Sequence, residues 1–376
     1  MRGKGNHIRV IARAVTLAMV ACLGLALAGC AQSSGSSAAS SAAASASATA
    51  SSAASASATA ASTSAASADA ASTAAASTNA AAESSVVGTP VYGTVPNTIA
   101  QDESALVATY PSKFTQVEYK DAETGLSVTY NLFLPEGYDA SQQYPMVVFI
   151  ADASCAKGNA QQSLTQGLGA LVWATDEWQA ANPTIVCVPT YPETILDDRS
   201  GYTTTEYVEL TKRLIDAVSS EYAVDKNRIY GTGQSMGCMT TLILASEYPD
   251  LYAACMFVDG QWDVTALEGL KGQAFVYFAA EDDSPAFGGL NNVMKMFDEG
   301  YTVSEYAQWD GTWTPDELTS AAQDLFAKGS RANFVSWKTG TVESSGGGAG
   351  YHMASFDYAY NCIAAMEWLF AQTKLA

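Results

Sequence analysis

Short apolar runs alternate with helical patterns from residue 144 to the end of this chain. Such runs are typical of strands buried on both faces of a sheet, whereas amphipathic helices show a 3.6-residue spacing. The predicted strands are residues 146–150, 184–188, 228–231, 254–259, 274–279 and 332–338, and the predicted helices are residues 170–181, 204–222, 235–247 and 358–372. This order predicts an α/β fold, with a mostly parallel central sheet and helices on both faces.

A hairpin and an insertion complete the expected domain. Residues 115–119 and 126–134 alternate as strands, and turn residues separate them. Residues 311–331 are expected to be an insertion between late strands, either a lid or an ordinary surface helix that starts near Pro315. Residues 85–376 suffice for one domain with a full core, which is where we expect the chemistry to lie.

The N-terminus has the pattern of a secretory signal. Four basic residues precede an apolar stretch at residues 14–28, which is short for a membrane span of about 20 residues but suits a signal peptide. Leu27-Ala28-Gly29-Cys30 resembles the bacterial lipobox. That resemblance implies cleavage after residue 29, diacylglycerol on Cys30 and anchoring to the extracytoplasmic face of the cell membrane. An uncleaved helix, or a secreted protein with a coincidental cysteine, is the alternative.

Residues 30–84 are predicted to be a disordered tether. Between residues 31 and 82 the chain is almost entirely Ala, Ser and Thr, with Asp69 as its one charge. Such a segment cannot bury enough apolar surface to offset its ordering entropy. An Ala-rich helix is the competing interpretation, which the hydroxyl side chains weaken. As a flexible coil the tether would reach roughly 40 Å.

Charge and cysteine usage exclude several classes of protein. The net charge of −20 becomes −24 without the four signal-peptide cations, which disfavours nucleic acid as a partner. Five cysteines remain after Cys22 and Cys30. They form no C-x-x-C pair and no cluster with histidine, so we expect no zinc site. Most of them lie in apolar runs and are expected in the core: Cys155, Cys187, Cys238, Cys255 and Cys362.

Gly233-Gln234-Ser235-Met236-Gly237 matches the pattern G-x-S-x-G between a predicted strand and a predicted helix. A sharp strand-to-helix turn of this kind holds a serine in strained geometry, and glycines on both sides make the turn sterically possible. The Ser235 Oγ would then stand above the sheet, with the Met236 N–H directed at a developing oxyanion. The competing interpretation is a glycine-rich turn in which serine caps a helix.

His352 is the one histidine outside the predicted signal peptide, since the only other is His7. A serine nucleophile needs a base, and His352 follows the last predicted strand and a glycine-rich loop. A lone histidine is more often a surface or core residue, but the combination with the serine turn favours a base.

The third member of such a site orients the imidazole and should follow a strand between Ser235 and His352. The strand at residues 274–279 is followed by Glu281, Asp282 and Asp283. Asp283 is the preferred acid, and Asp282 is the alternative. Asp259, at the end of the preceding strand, is a weaker candidate.

The order Ser235, Asp283, His352 is that of the α/β-hydrolase fold. Over residues 115–376 the chain resembles the polyhydroxybutyrate-depolymerase and feruloyl-esterase group, which is related to prolyl oligopeptidases. The motifs that carry the resemblance are Leu134-Pro135-Glu136-Gly137-Tyr138-Asp139, Tyr144-Pro145-Met146-Val147-Val148-Phe149, Asp225-Lys226-Asn227-Arg228-Ile229-Tyr230 and Tyr248-Pro249-Asp250-Leu251-Tyr252-Ala253-Ala254. The resemblance implies a serine hydrolase that needs no metal or organic cofactor.

Two departures from the family pattern concern the site. Where the family usually has His-Gly after the first buried strand, this chain has Ala151-Asp152-Ala153-Ser154. The N–H of Ala153 or Ser154 would complete an oxyanion hole, but Asp152 brings a negative charge that opposes catalysis unless it points away or pairs with a cation. Ala279-Ala280 likewise replaces the His-Gly that often precedes the acid.

These patterns favour a secreted, lipid-anchored carboxylic ester hydrolase whose substrate is a small-molecule, glycan or polyester ester. A serine peptidase and a non-catalytic binding lipoprotein are the alternatives, and the oligomeric state is left open. Five tryptophans either line a carbohydrate or aromatic-ester cleft or pack in the core: Trp173, Trp178, Trp262, Trp309 and Trp313.

Overall fold

The computed structural model describes residues 85–344 and 348–375. The predicted signal peptide, Cys30 and the predicted tether lie outside the described residues. Within the described part of the chain, no helix is long and apolar enough to cross a membrane.

Nine strands form one sheet. They are β1 (Thr115–Lys120), β2 (Ser127–Phe133), β3 (Tyr144–Ile150), β4 (Ile185–Thr190), β5 (Val224–Gln234), β6 (Ala254–Val258), β7 (Phe275–Ala280), β8 (Ser304–Trp309) and β9 (Ala332–Trp337). Their order across the sheet is β8-β9-β7-β6-β5-β3-β4-β2-β1. β1 pairs antiparallel with β2, and β2 with β4; all the other neighbours are parallel. The predicted hairpin and the mostly parallel sheet are therefore present.

Helices cover both faces of the sheet. They are α1 (Glu103–Thr109), α2 (Asp176–Ala181), α3 (Glu206–Glu221), α4 (Met236–Glu247), α5 (Ser284–Glu299), α6 (Pro315–Phe326), α7 (Gly348–Tyr360) and α8 (Ile363–Phe370). Successive residues of β3 show why there are two cores: Val147 and Phe149 join the cluster under α2, α6 and α8, whereas Met146 and Val148 join the cluster under α3, α4 and α5.

Of the two alternatives for residues 311–331, the ordinary helix is correct and the lid is not, but the expectation of an insertion overlooked β8. Helix α6 connects β8 to β9, which run parallel, and it buries Leu318 and Leu325 in the core. The helix does start as predicted, with a capping box between Thr314 and Glu317. It is a crossover helix of the sheet and contributes no lid to the cleft described below.

Two predicted helices are broken in the structure. Residues 170–181 form a 3₁₀ turn at Val172–Ala174 and then α2, with Thr175 between them as the N-cap. The predicted closing helix at residues 358–372 is divided between α7 and α8. Because α7 begins ten residues earlier than predicted, His352 lies on a helix.

The first described residues pair with the C-terminal segment near the ends of the sheet strands. Ser85–Val86 pairs antiparallel with Thr373–Lys374, and the Arg331 guanidinium donates to the Ser85 carbonyl oxygen. Arg331 directly precedes β9. The described chain therefore begins beside the N-terminal ends of the parallel strands, on the opposite side of the sheet from the C-terminal ends of β5 and β7.

Candidate active site

The turn between β5 and α4 holds Ser235 in an unusual backbone conformation, with φ 53° and ψ −117°. Left-handed φ values are uncommon for residues with a side chain and persist only where the surroundings enforce them. Here the Ser235 N–H donates to the Val258 carbonyl oxygen at 3.1 Å. A Cβ on Gly237 would lie 1.8 Å from the Ile150 carbonyl oxygen, and one on Gly233 would lie 2.5 Å from Gly237. Both glycines are thus required by close packing against β3 and α4.

Three side chains predicted from the sequence lie in one hydrogen-bonded chain. The His352 Nε2 lies 2.8 Å from the Ser235 Oγ, and the His352 Nδ1 lies 2.5 Å from the Asp283 Oδ2. An ionised carboxylate only accepts, so Nδ1 carries the proton and Nε2 is free to accept from the serine hydroxyl. The geometry is that of a nucleophile, a base and an orienting acid.

Negative charge around the imidazole raises its pKa. Burial alone would lower the pKa of His352, but the hydrogen bond and charge of Asp283 outweigh burial, with further contributions from Asp259 and Asp152. The His352 side chain keeps about a quarter of its surface exposed, while the Asp283 side chain is buried. The site therefore stabilises an imidazolium that is still open to the cleft.

The other candidate acids have different partners. The Asp282 Oδ2 accepts from the Gly340 N–H at 2.7 Å, and Glu281 accepts from Gln308, Ser336 and Thr339. Asp259 is fully buried and its Oδ1 accepts from the Ala280 N–H at 2.8 Å. The structure brings Asp283, rather than Asp282, to His352.

The two residues expected to supply oxyanion donors, Met236 and Ala153, both begin a helical turn beside Ser235. Met236 is the first residue of α4, so its N–H has no acceptor within the helix. Ala153 begins the 3₁₀ turn Ala153–Cys155 after β3. Both residues line the same cleft as Ser235 and His352. The Ser154 N–H donates instead to the Asp152 carboxylate at 2.7 Å, so Ala153 is the remaining candidate of the two.

Asp152 is buried and caps that 3₁₀ turn instead of lining the cleft. No cation among residues 85–344 and 348–375 pairs with its carboxylate. It also accepts from the Gln166 Nε2 at 2.5 Å. Gln166 was not predicted from the sequence, because nothing local links a glutamine to an acid 14 residues earlier. A buried charge that lacks a cation does, however, require a polar partner.

The cleft above Ser235 has a volume of about 760 Å³. A short hairpin, in which Leu196–Asp197 pairs with Thr203–Thr204, forms one wall. Tyr202 on this hairpin packs edge-on against Trp262, with ring centroids 5.3 Å apart. Polar residues adjoin this aromatic wall in the lining of the cleft: Asp198, Arg199, Gln261 and Asn292.

Of the five tryptophans considered from the sequence, only Trp262 lines this cleft. Trp173, Trp178 and Trp309 are buried in the core, and Trp313 packs against it. The alternative of core packing is therefore correct for these four.

All five cysteines of the described residues are buried and unpaired. Burial raises the pKa of Cys155, Cys187 and Cys362 to about 12, and it raises the pKa of Cys238 well above the usual thiol range. Because a thiolate is the reactive form, these thiols are core residues and not alternative nucleophiles.

A serine turn after the central strand β5, an acid after β7 and a histidine after β9, on a sheet of this strand order, define an α/β-hydrolase fold. The chain belongs to the esterase family: the family model described as "Putative esterase" matches residues 122–344, more than half of the chain. The matched span contains Ser235 and Asp283, and His352 lies just beyond its end.

Known relatives agree with that family. A thermostable esterase of solved structure is 27% identical, with a TM-score of 0.58 over 70% of this chain and 64% of that chain. Acetylxylan esterase A of Emericella nidulans is 33% identical over 70 residues, which are 15% of this chain and 23% of that protein. Its counterpart in Aspergillus ficuum is 30% identical over 106 residues, or 24% and 35%. The chain thus spans less than two thirds of each relative's length. The expected esterase resemblance is confirmed at the level of the family.

Proposed function

We propose that this protein is a serine-dependent carboxylic ester hydrolase. The observation that carries the proposal is the hydrogen-bonded chain from Ser235 through His352 to Asp283 at the floor of the cleft. Membership of the esterase family supports the choice of an ester over other acyl compounds. The alternative of a binding protein gives no reason for a strained serine turn aligned with a base.

The proposed reaction proceeds through an acyl-enzyme. The Ser235 Oγ attacks the ester carbonyl carbon while the His352 Nε2 takes its proton, and Asp283 stabilises the imidazolium. The N–H groups of Met236 and Ala153 bind the tetrahedral oxyanion. His352 then protonates the leaving alkoxide. Water, activated in turn by His352, hydrolyses the acyl-enzyme, so the proposed steps use only this chain and water.

For the substrate, we favour an ester on a glycan or a small polyester. The similarity to two acetylxylan esterases supports an acyl group carried by a carbohydrate. The cleft is of the size that binds small molecules, and Tyr202 with Trp262 supplies an aromatic wall on which a sugar or aromatic ring could pack.

For the location, we propose a lipid anchor at Cys30 on the extracytoplasmic face of the membrane, with residues 30–84 as the tether. The basic start, apolar stretch and lipobox-like Leu27-Ala28-Gly29-Cys30 support it. Metabolic labelling of bacteria with an alkynyl fatty acid should label the wild-type protein and not Cys30→Ser. Equal labelling of both would overturn the anchor without affecting the esterase proposal.

Intact-mass measurement after treatment with a fluorophosphonate tests the chemistry. One adduct is expected on the wild-type protein and none on Ser235→Ala or His352→Ala. Folded wild-type protein without an adduct would contradict the proposal and favour the binding protein. If the adduct forms, p-nitrophenyl acetate and a peptide p-nitroanilide separate the two hydrolase classes, and cleavage of the peptide alone would favour a peptidase.

A further inference from the structure

The side chain of Gln166 bridges the two segments that carry the oxyanion donors. Its Oε1 accepts from the Asp152 N–H at 3.2 Å and from the Gln234 Nε2 at 3.0 Å. Its Nε2 donates to the Asp152 Oδ1 at 2.5 Å and to the Ser154 Oγ at 2.7 Å. A glutamine amide has two donor hydrogens and two acceptor lone pairs, so all four are used. This pattern also fixes which end of the amide is the oxygen.

The bridged residues are the immediate neighbours of the proposed donors. Asp152 precedes Ala153, at the end of β3, and Gln234 precedes Ser235 and Met236, at the end of β5. β3 and β5 are adjacent parallel strands. The Gln166 amide therefore spans the gap across which the two N–H groups must both reach one oxygen.

The loop that carries Gln166 is itself attached to the helix of the base. The Asp357 Oδ1, on α7, accepts from the Leu168 N–H at 2.8 Å. Gly167, with φ +127°, lets the loop pass this carboxylate, because a Cβ there would lie 2.6 Å from the Asp357 Oδ1. Helix α7 also carries His352. Gln166 thus sits where the oxyanion turn, the serine turn and the base helix converge.

We propose that Gln166 is a positioning residue for the oxyanion hole, one that sets the separation of the Ala153 and Met236 N–H groups and holds the Asp152 carboxylate away from the cleft. The inference rests on the proposed function. Preorganised donors stabilise an oxyanion only if they are in place before the charge forms, and a carboxylate free to turn toward that charge would oppose it. Gln166 offsets the family departure at Asp152 by hydrogen bonding, without a cation.

Steady-state hydrolysis of p-nitrophenyl acetate by Gln166→Leu tests the inference on the full chain. We expect kcat to fall about 10- to 100-fold, because displaced donors stabilise the transition state less well. Substrate binding depends less on these donors, so KM should change less than about two-fold. Gln161→Leu is the matched control. It removes an exposed glutamine of the same loop for which the described residues show no side-chain hydrogen bond, and it should keep wild-type kcat.

Gln166→Glu keeps the shape of the side chain and tests the pH dependence of kcat, which a purely structural role of Gln166 would not change. Its carboxylate cannot donate to Asp152 when ionised, whereas two adjacent carboxyls share a proton at low pH. The ratio of variant to wild-type kcat should therefore rise as the pH falls from about 8 to 5. The other groups that face this position are Asp357 and His352 from α7 and the neutral Cys155. Asp357 and His352 titrate in both proteins, whereas Cys155 stays neutral over this range. A negative charge at residue 166 would raise the pKa of His352 and so lower the ratio at low pH, which is opposite to the expected rise.

The outcomes separate the two proposals. Wild-type protein without ester hydrolysis or fluorophosphonate adduct would overturn the proposed function and this inference with it. An active wild type with Gln166→Leu at full kcat would overturn the inference alone. So would a loss confined to KM, or a Gln166→Glu ratio that does not change with pH. Should Gln166→Leu fail to fold, which thermal unfolding would reveal, the isosteric Gln166→Glu still decides.

Discussion

The ends of the adjacent strands β6 and β7 each place an aspartate near His352, yet the two carboxyls differ in surroundings. Asp283, after β7, is hydrogen-bonded to the imidazole, lines the cleft and does not cap α5 although it occupies the N-cap position. Asp259, after β6, is fully buried with a left-handed φ of 45°. Burial raises the pKa of Asp259 to about 7, against the hydrogen bond from the Ala280 N–H and with the charge of Asp283 adding to the rise.

Proximity to a base does not by itself make a carboxyl the acid of a site. Asp283 has the imidazole as its hydrogen-bond partner. Asp259 is fully buried, and the hydrogen bond from the Ala280 N–H does not offset the loss of solvent, so its charged form is costly. Two acids on neighbouring strands thus affect His352 differently: Asp283 is hydrogen-bonded to the imidazole, while the charge of Asp259 adds to the rise in its pKa.

The largest effect is expected from Asp283→Asn. Its amide cannot act as an anionic acceptor for Nδ1–H, so the imidazole is held in the wrong tautomer and its cation is not stabilised. We expect kcat to fall about 10³- to 10⁴-fold in p-nitrophenyl acetate hydrolysis, by analogy with the serine protease triad. Asp282→Asn is the matched control and should stay within about three-fold of wild type. A similar loss in both variants would contradict the assignment of Asp283.

A stability effect of intermediate size is expected from Asp259→Asn. Because the folded-state pKa of Asp259 lies above its unfolded value of 3.8, the folded state holds the extra proton between these values, and the free energy of unfolding falls as the pH rises through that window. Asparagine removes this dependence and still accepts from the Ala280 N–H. Between pH 4 and pH 8, the free energy of unfolding of the variant should rise by roughly 2–4 kcal/mol relative to that of the wild type. Urea unfolding at both pH values measures it, and a difference independent of pH would show that the carboxyl titrates normally.

The smallest effect is expected on the pH profile of the reaction. Catalysis needs neutral His352, so kcat/KM should fall as the pH drops through its raised pKa. The charge of Asp259 contributes to that rise, and removing it lowers the pKa of His352. The acid limb of kcat/KM for Asp259→Asn should therefore move to lower pH. A shift to higher pH would mean that Asp259 does not act on the imidazole through its charge.

The sequence predicted those parts of the fold and site that local pattern controls. Buried parallel strands carry continuous apolar runs, and the serine turn needs glycines at fixed positions. A single histidine outside the predicted signal peptide leaves one choice of base. Edge strand β8 was missed because only one of its faces packs, so Ser304–Trp309 shows no apolar run. The choice of Asp283 over Asp282 was open because one residue of spacing cannot say which carboxyl turns toward a helix formed 70 residues later.

Gln166 and the hairpin with Tyr202 were missed for a different reason. Their contacts to Asp152, Gln234 and Trp262 join segments far apart in the chain. A polar residue in an irregular loop has no periodicity that signals such a contact. Tertiary partners of this kind become visible only once the strand order is known.

The pairing of Ser85–Val86 with Thr373–Lys374 has a practical consequence for handling the protein. The two ends of the described domain lie side by side, near the strand ends that are remote from the cleft. A bead, an electrode or a fusion partner attached ahead of residue 85 would leave the mouth of the cleft facing bulk solution. The same adjacency favours circular permutation, since a short linker could join the present ends while new ones open in a surface loop.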